Sequence, residues 1–216
     1  MLLSELRFGA FLSYSPRGDS DEIRRSREWT YALKRDAPMG AQRRPTSQLV
    51  AERVRARLED GPLGELFSST TSLVPVPGAG LWRPGDLWVS AATASALCRV
   101  GLGAEMLPCL RRRTPIRRSS QQQDPAVRPS VAEHAESMAV DVRIPAPVRI
   151  LLIDDVVTRG ATLLAAASRL VEAWPGIEVC AFAVVRTISN PSKFDAIYAP
   201  VVGTIAFDGE QTRRRP

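Results

Sequence analysis

Cysteine is scarce in this chain: Cys98, Cys109 and Cys180 are the only three in 216 residues. They are scattered and odd in number, which excludes a disulfide framework and a CxxC zinc pair. Histidine is scarcer still. His134 stands alone, and one histidine cannot make a metal site. Long apolar runs are missing too; none approaches the ~18 residues that a membrane span needs, so no membrane partner is expected. The opening stretch MLLSELRFGAFLSYS carries Glu5 and Arg7 inside its apolar residues and reads as a poor signal peptide. A cytoplasmic location is the default expectation.

What is present is ordinary for a globular protein: 44% hydrophobic and 24% charged residues. That balance excludes a disordered or collagen-like chain. The length suits one domain with at most a small appendage, and a chain of this size hides roughly 70% of its unfolded surface. The net charge is +6, with five arginines within Arg111–Arg118 and three at Arg213–Arg215. A solvated surface with a frayed tail explains them; so does a polyanionic small molecule or a nucleic acid.

Residues 15–28 are polar and read as loop. WTYALKRDAP is a short apolar-basic segment ending at Pro38, and MGAQRRP is a linker. Thr46 or Ser47 is placed to cap a helix running to about Asp60, because Leu49, Val50, Val54 and Leu58 recur at helical spacing. LVPVP (73–77) reads as a buried strand entering the Gly/Pro loop 78–85, after which Asp86 is placed to cap a helix to about Val100. A strand near 104–110 and a long polar loop over 111–130 follow; loops of that length are usually functional or disordered. VRILLIDDVV (148–157) opens as an apolar strand. The next helix places Leu163, Ala167, Leu170 and Trp174 on one face. EVCAFAVV (178–185) is a strand and VVGTIAF (201–207) a weaker one. Strands alternating with helices, and apolar throughout, predict an α/β fold: a parallel sheet with helices on both faces. The expected organisation is a small N-terminal element over 1–45, which could hood the site, a main domain over 46–208 and a basic tail over 209–216.

The stretch that carries chemistry is ILLIDDVVTRGAT (150–162). In an open parallel sheet, ligands bind beyond the carboxyl ends of the strands, where Asp154 and Asp155 fall. A turn of small residues opening a helix offers backbone N–H groups at the positive end of the helix dipole, which suits a phosphate. Gly160 permits close approach, and Thr158 and Thr162 add hydroxyl donors. The carboxylates need another partner, either sugar hydroxyls or a metal ion. A Walker A loop fails at Asp86 and Leu87, and the dinucleotide fingerprint fails at Arg83.

This stretch resembles the phosphoribosyl diphosphate (PRPP) binding motif of type I phosphoribosyltransferases: apolar strand, acidic pair, TxGxT loop. From about Trp29 to AFAVVRT the chain resembles the ComF-like subfamily, with LVPVPGAG similar to its first core strand and following loop. That subfamily's paired N-terminal cysteines are absent, and Arg83-Pro84-Gly85 only echoes its usual RGFNQ. The resemblance implies a type I phosphoribosyltransferase-like fold and a Mg²⁺-dependent transfer of phosphoribose from PRPP to a nitrogenous acceptor. It implies that Asp154 and Asp155 hold the ribose hydroxyls and that Thr158, Arg159, Gly160, Ala161 and Thr162 wrap the 5′-phosphate. Val76, Pro77 and Gly78 would flank the pyrophosphate, and Arg111–Arg118, with Arg113 as the catalytic arginine, would form the loop that closes over it. Mg²⁺ would be held through PRPP oxygens and water rather than by direct protein ligands.

The residues alone make this chemistry coherent. Breaking the anomeric C–O bond leaves positive character on the sugar and negative charge on pyrophosphate, which Mg²⁺ and arginines would stabilise. Arg186, at the end of the AFAVV strand, is a candidate for the acceptor pocket. Lys34 could reach a phosphate or be merely solvated, and His134 is expected to be a surface or hydrogen-bonded residue. Trp82 and Trp88 suit packing as well as base stacking. Candidate partners are PRPP, the acceptor, nucleic acid through Arg111–Arg118 and a second copy of the chain. A PRPP- or nucleotide-sensing protein without catalysis, and an accessory protein that handles nucleic acid, remain open beside the enzyme.

Overall fold

The computed structural model describes residues 2–117, 128–142 and 145–216. In chain order the elements are β1 (Glu5–Tyr14), α1 (Asp21–Leu33), β2 (Pro38–Met39), β3 (Arg44–Pro45), α2 (Thr46–Ala56), β4 (Ser72–Pro75), α3 (Val89–Arg99), β5 (Glu105–Met106), β6 (Leu110–Arg112), α4 (Val131–Glu136), β7 (Met138–Val140), β8 (Arg149–Val157), α5 (Ala161–Ala173), β9 (Glu178–Thr187), β10 (Tyr198–Phe207) and β11 (Thr212–Arg215). Seven strands form the main sheet in the order β11-β10-β1-β9-β8-β4-β5. The five from β1 to β5 in that order run parallel; β10 and β11 add antiparallel pairings at one edge. The α/β architecture with a mostly parallel sheet therefore holds.

The apolar runs are apolar throughout because both faces of the sheet are covered. Side chains alternate along a strand, so Ile150 and Leu152 of β8 join the layer that includes α5. Leu151 and Ile153 join the opposite layer, with residues of α2 and α3 and Leu33 of α1. Among the described residues no helix is long and apolar enough to cross a membrane.

Several expected boundaries change. Residues 5–14 are no part of a separate N-terminal element: β1 lies inside the sheet between β10 and β9. Its alternating Leu6, Phe8 and Ala10 are buried in the α5 layer. Half of the expected 15–28 loop is helix, because Ser20 accepts a hydrogen bond from the Ile23 amide and Asp21 and Glu22 sit at the positive end of the helix dipole. Neither Thr46 nor Ser47 caps α2; the Ser47 amide and hydroxyl both donate to Asp36, at 2.8 and 3.1 Å. α2 ends at Ala56 rather than near Asp60. Asp86 accepts from the Arg83 amide and closes a turn, so α3 starts three residues later. Arg111 and Arg112 are not loop but strand, in the β6–β7 ribbon. The 209–216 segment is not frayed: β11 pairs with β10 through Thr212–Arg215. Arg118 and the rest of 118–127 in the expected mobile loop lie outside the described residues.

Candidate functional site at the carboxyl edge of the sheet

Strand order creates a crevice. From β8 the chain crosses through α5 to β9, toward β1; from β4 it crosses through α3 to β5, away from it. The two crossover helices pack on opposite faces. The gap between β4 and β8 is thus a topological switch point, where open α/β sheets receive ligands. β4 stops pairing at Pro75↔Ile153, and the Val76 amide makes a last bond to Ile153 O at 2.9 Å. β8 continues four residues further and, among the described residues, pairs there with β9 alone. Asp154 and Asp155 are the first two residues of that overhang.

As neighbours on a strand they start from opposite faces, yet the two carboxyl groups lie close enough to interact. Asp154 lines a cavity of about 580 Å³, together with residues 128–131, 156–163 and 210–212. Burial pushes its carboxyl well above the usual aspartate range, and the neighbouring Asp155 carboxylate adds to the shift. Asp155 does not line this cavity. Its Oδ2 accepts from Lys34 Nζ at 2.9 Å, so the lysine at the end of α1 meets a carboxylate rather than bulk water alone. Among the described residues no group of three or more His, Cys, Asp or Glu could hold a metal. The two carboxylates could still serve a hard cation that takes its other oxygens from a substrate and water.

Residues 158–162 line the same cavity. Gly160 occupies the left-handed region at φ 94° and precedes α5 with no side-chain cap, so the first-turn amides have no partner within the helix. Gly160, Ala161, Thr162 and the exposed Thr158 and Arg159 all line the cavity. Thr158 shares a 3.1 Å hydrogen bond with the Thr187 hydroxyl. On the other flank of the crevice, Val76 and Pro77 are buried and Gly78 is exposed. Val76 O accepts from Trp88 Nε1 at 2.9 Å, which gives Trp88 a packing and tethering role. These three residues do not line the cavity, and neither does Arg186, whose Nε donates to Ser13 Oγ at 3.1 Å.

Arg113 is exposed, and its amide donates to Ser137 O, whereas its neighbour Arg112 is buried. Arg112 Nε donates to Gly78 O at 2.9 Å, and its other nitrogens reach Ser137 Oγ, His134 O and His134 Nδ1. Burial lowers its pKa to about 10, a loss partly offset by Asp154, so it stays cationic at neutral pH. His134 is buried and hydrogen-bonded; Nε2 lies 3.4 Å from Thr162 Oγ1. Burial, with the Arg112 charge beside it, lowers its pKa to about 4.

Sequence reasoning missed the cavity's third wall, Glu210, Gln211 and Thr212, because it set this segment apart as a tail. It also missed Arg214. That guanidinium donates to Thr158 O at 3.0 Å and to Thr187 O at 2.6 Å, holding the phosphate-loop candidate against the end of β9. Burial and the nearby Arg186 lower its pKa to about 10.

The His134 environment predicts a loss of stability in acid. The unfolded imidazole takes its proton near pH 6.5 and the folded one only near 4, so the unfolded state binds more protons in that window. Stability from this group is complete above pH 6.5 and is lost as pH falls toward 4. His134→Gln keeps a donor and an acceptor without titrating. Urea midpoints from pH 7.5 to 4.5 are expected to show the wild-type protein losing on the order of 3 kcal/mol relative to the variant. Parallel profiles would refute the neutral, buried histidine.

No protein-family model matches this chain, and no curated protein matches it.

Proposed function

We propose that this chain is a phosphoribosyltransferase of the type I class: it binds PRPP with Mg²⁺ and transfers phosphoribose to a nitrogenous acceptor, releasing pyrophosphate. One observation carries the reading. The switch-point crevice puts a carboxylate overhang, Asp154-Asp155, beside an uncapped helix start shaped by a left-handed glycine. That pairing matches a ligand with sugar hydroxyls at one point and a phosphate a few ångströms away.

In this reading the amides of Gly160–Thr162 bind the 5′-phosphate, and Asp154 accepts from the ribose hydroxyls. Asp155 would exchange Lys34 for the ligand's ribose or the water shell of Mg²⁺. The ion supplies charge neutralisation for the departing pyrophosphate. Val76, Pro77 and Gly78 flank the leaving group, and the exposed Arg111, Arg113 and Arg117 are available to meet its charge. The bond between the anomeric carbon and the pyrophosphate oxygen breaks with its electron pair leaving on oxygen, and the acceptor nitrogen donates the pair for the new C–N bond. Arg186, one strand further along the edge, is a candidate for contact with that acceptor.

Calorimetry with PRPP is expected to show binding with Mg²⁺ and a large loss of affinity without it. A screen of nitrogenous bases should then release pyrophosphate. Binding without turnover on any acceptor would move the reading to a PRPP sensor. No PRPP binding, combined with DNA affinity that falls steeply with salt, would move it to nucleic-acid handling through the same arginines.

A further inference from the structure

Arg112 and His134 do more than fill the interior beneath the crevice. They are 8% and 3% exposed, and together they form an unbroken hydrogen-bonded chain between its two flanks. At one end Arg112 Nε–H donates to Gly78 O, in the loop after β4. Next, Arg112 Nη2 lies 3.1 Å from His134 Nδ1. A guanidinium has no acceptor, so Nδ1 must be bare and accept. A neutral imidazole then carries its proton on Nε2, which donates to Thr162 Oγ1 at 3.4 Å. Thr162 has no other side-chain partner among the described residues. With its oxygen taken as acceptor, its own hydrogen is free to point into the cavity it lines.

We propose that His134 is a positioning residue that couples the two anion subsites of the crevice, so that a phosphate at the 158–162 loop strengthens pyrophosphate binding beside Gly78; this rests on the PRPP reading above. The physical route is short. An anion that accepts the Thr162 hydroxyl proton makes its oxygen a better acceptor and draws in the long contact from Nε2–H. The imidazole then becomes a better acceptor for Arg112, which is fixed more firmly on Gly78 O. Hydrogen-bond chains in a low dielectric strengthen one another in this way, and order imposed by the first ligand need not be imposed again by the second. The consequence is selectivity for a substrate that carries phosphate at both ends over one that carries it at either.

The test is a coupling measurement by calorimetry, with ribose 5-phosphate and magnesium pyrophosphate titrated singly and in each other's presence. In the wild-type protein, saturating ribose 5-phosphate is expected to tighten pyrophosphate binding about 5–20-fold, within the usual range of coupling between sites. His134→Leu should bring that factor close to one. His134→Gln, which can accept from Arg112 and donate to Thr162, should restore most of it; a merely space-filling role predicts no such rescue. Thr162→Val breaks the chain at its outer end and gives the same readout should the leucine variant fail to fold. A wild-type factor near one, or a factor undiminished in the variants, overturns this inference while leaving the PRPP reading intact. Binding of neither probe overturns both.

Discussion

Gly160→Val is expected to lose 5′-phosphate binding and several kcal/mol of stability together. Gly160 sits at φ 94°, where a branched side chain is strained by roughly 1–3 kcal/mol. A Cβ there would also lie 2.5 Å from Ile205 Cδ1 and 2.7 Å from Cγ1, inside the layer under α5. Overpacking of that kind typically costs about 1–3 kcal/mol. The two penalties separate by design: Ile205→Ala removes all three carbons that a Cβ at 160 would meet, so Gly160→Ala with Ile205→Ala should be free of the clash and keep the strain. Thr158→Ala removes one hydroxyl already shared with Thr187, and should cost only about 0.5–1.5 kcal/mol. Urea titration and ribose 5-phosphate binding, measured on all four proteins, check this. Equal and small effects of Gly160→Val and Thr158→Ala on affinity would place the phosphate elsewhere.

The double role of Gly160 explains a general asymmetry in what the residues revealed. Its place in a TRGAT loop after an apolar strand was readable because strand, acidic pair and helix start are local and contiguous. Its contact with Ile205 was not, because it depends on β10 and β11 turning back over the start of α5. The same holds for β1. Its alternation at Leu6, Phe8 and Ala10 is a legitimate strand signal, but nothing near it in the chain says that it lies between β9 and β10.

Neighbouring arginines pose a sharper limit. Arg111 and Arg112 are identical in type, and only their parity in β6 decides which is buried. That parity is set by pairing with β7, some 26 residues later, through Arg112↔Met138. Arg213–Arg215 repeat the problem in β11, where Arg214 is held against Thr158 and Thr187 while Arg213 faces an exposed Asp208. A run of like residues therefore conveys charge but not aim. His134 was readable as a surface or hydrogen-bonded residue, and the structure buries it and takes the second alternative. Its partners at positions 112 and 162 were not readable, since no local pattern links them.

Asp154→Asn combined with Asp155→Asn is expected to abolish PRPP binding while leaving a folded and, at alkaline pH, more stable protein. The binding loss follows from two charged acceptors replaced by neutral ones. At about 1.5–3 kcal/mol for each hydrogen bond to a charged group, the affinity should fall roughly 10²–10⁴-fold. Asp154→Asn alone should account for the larger share, because Asp154 lines the cavity and Asp155 does not. The stability gain has a definite sign. Burial raises the folded pKa of Asp154 above its unfolded value, so the native state binds more protons between the two. Its contribution is favourable at low pH and is lost as pH rises through the folded pKa. Asparagine never pays that desolvation, and its Oδ1 can still accept from the Asp155 amide as Asp154 does at 2.9 Å. Against this, Asp155→Asn gives up the Lys34 ion pair, half exposed and worth about 0–1 kcal/mol. The melting temperature of Asp154→Asn should therefore exceed that of the wild-type protein at pH 8, with the gap closing as pH approaches 4. A carboxyl group kept at a cost to the fold is what a ligand site requires. Unchanged PRPP affinity in the double variant would sink the ribose assignment, and a lower melting temperature for Asp154→Asn at pH 8 would show that the carboxylate serves the fold instead.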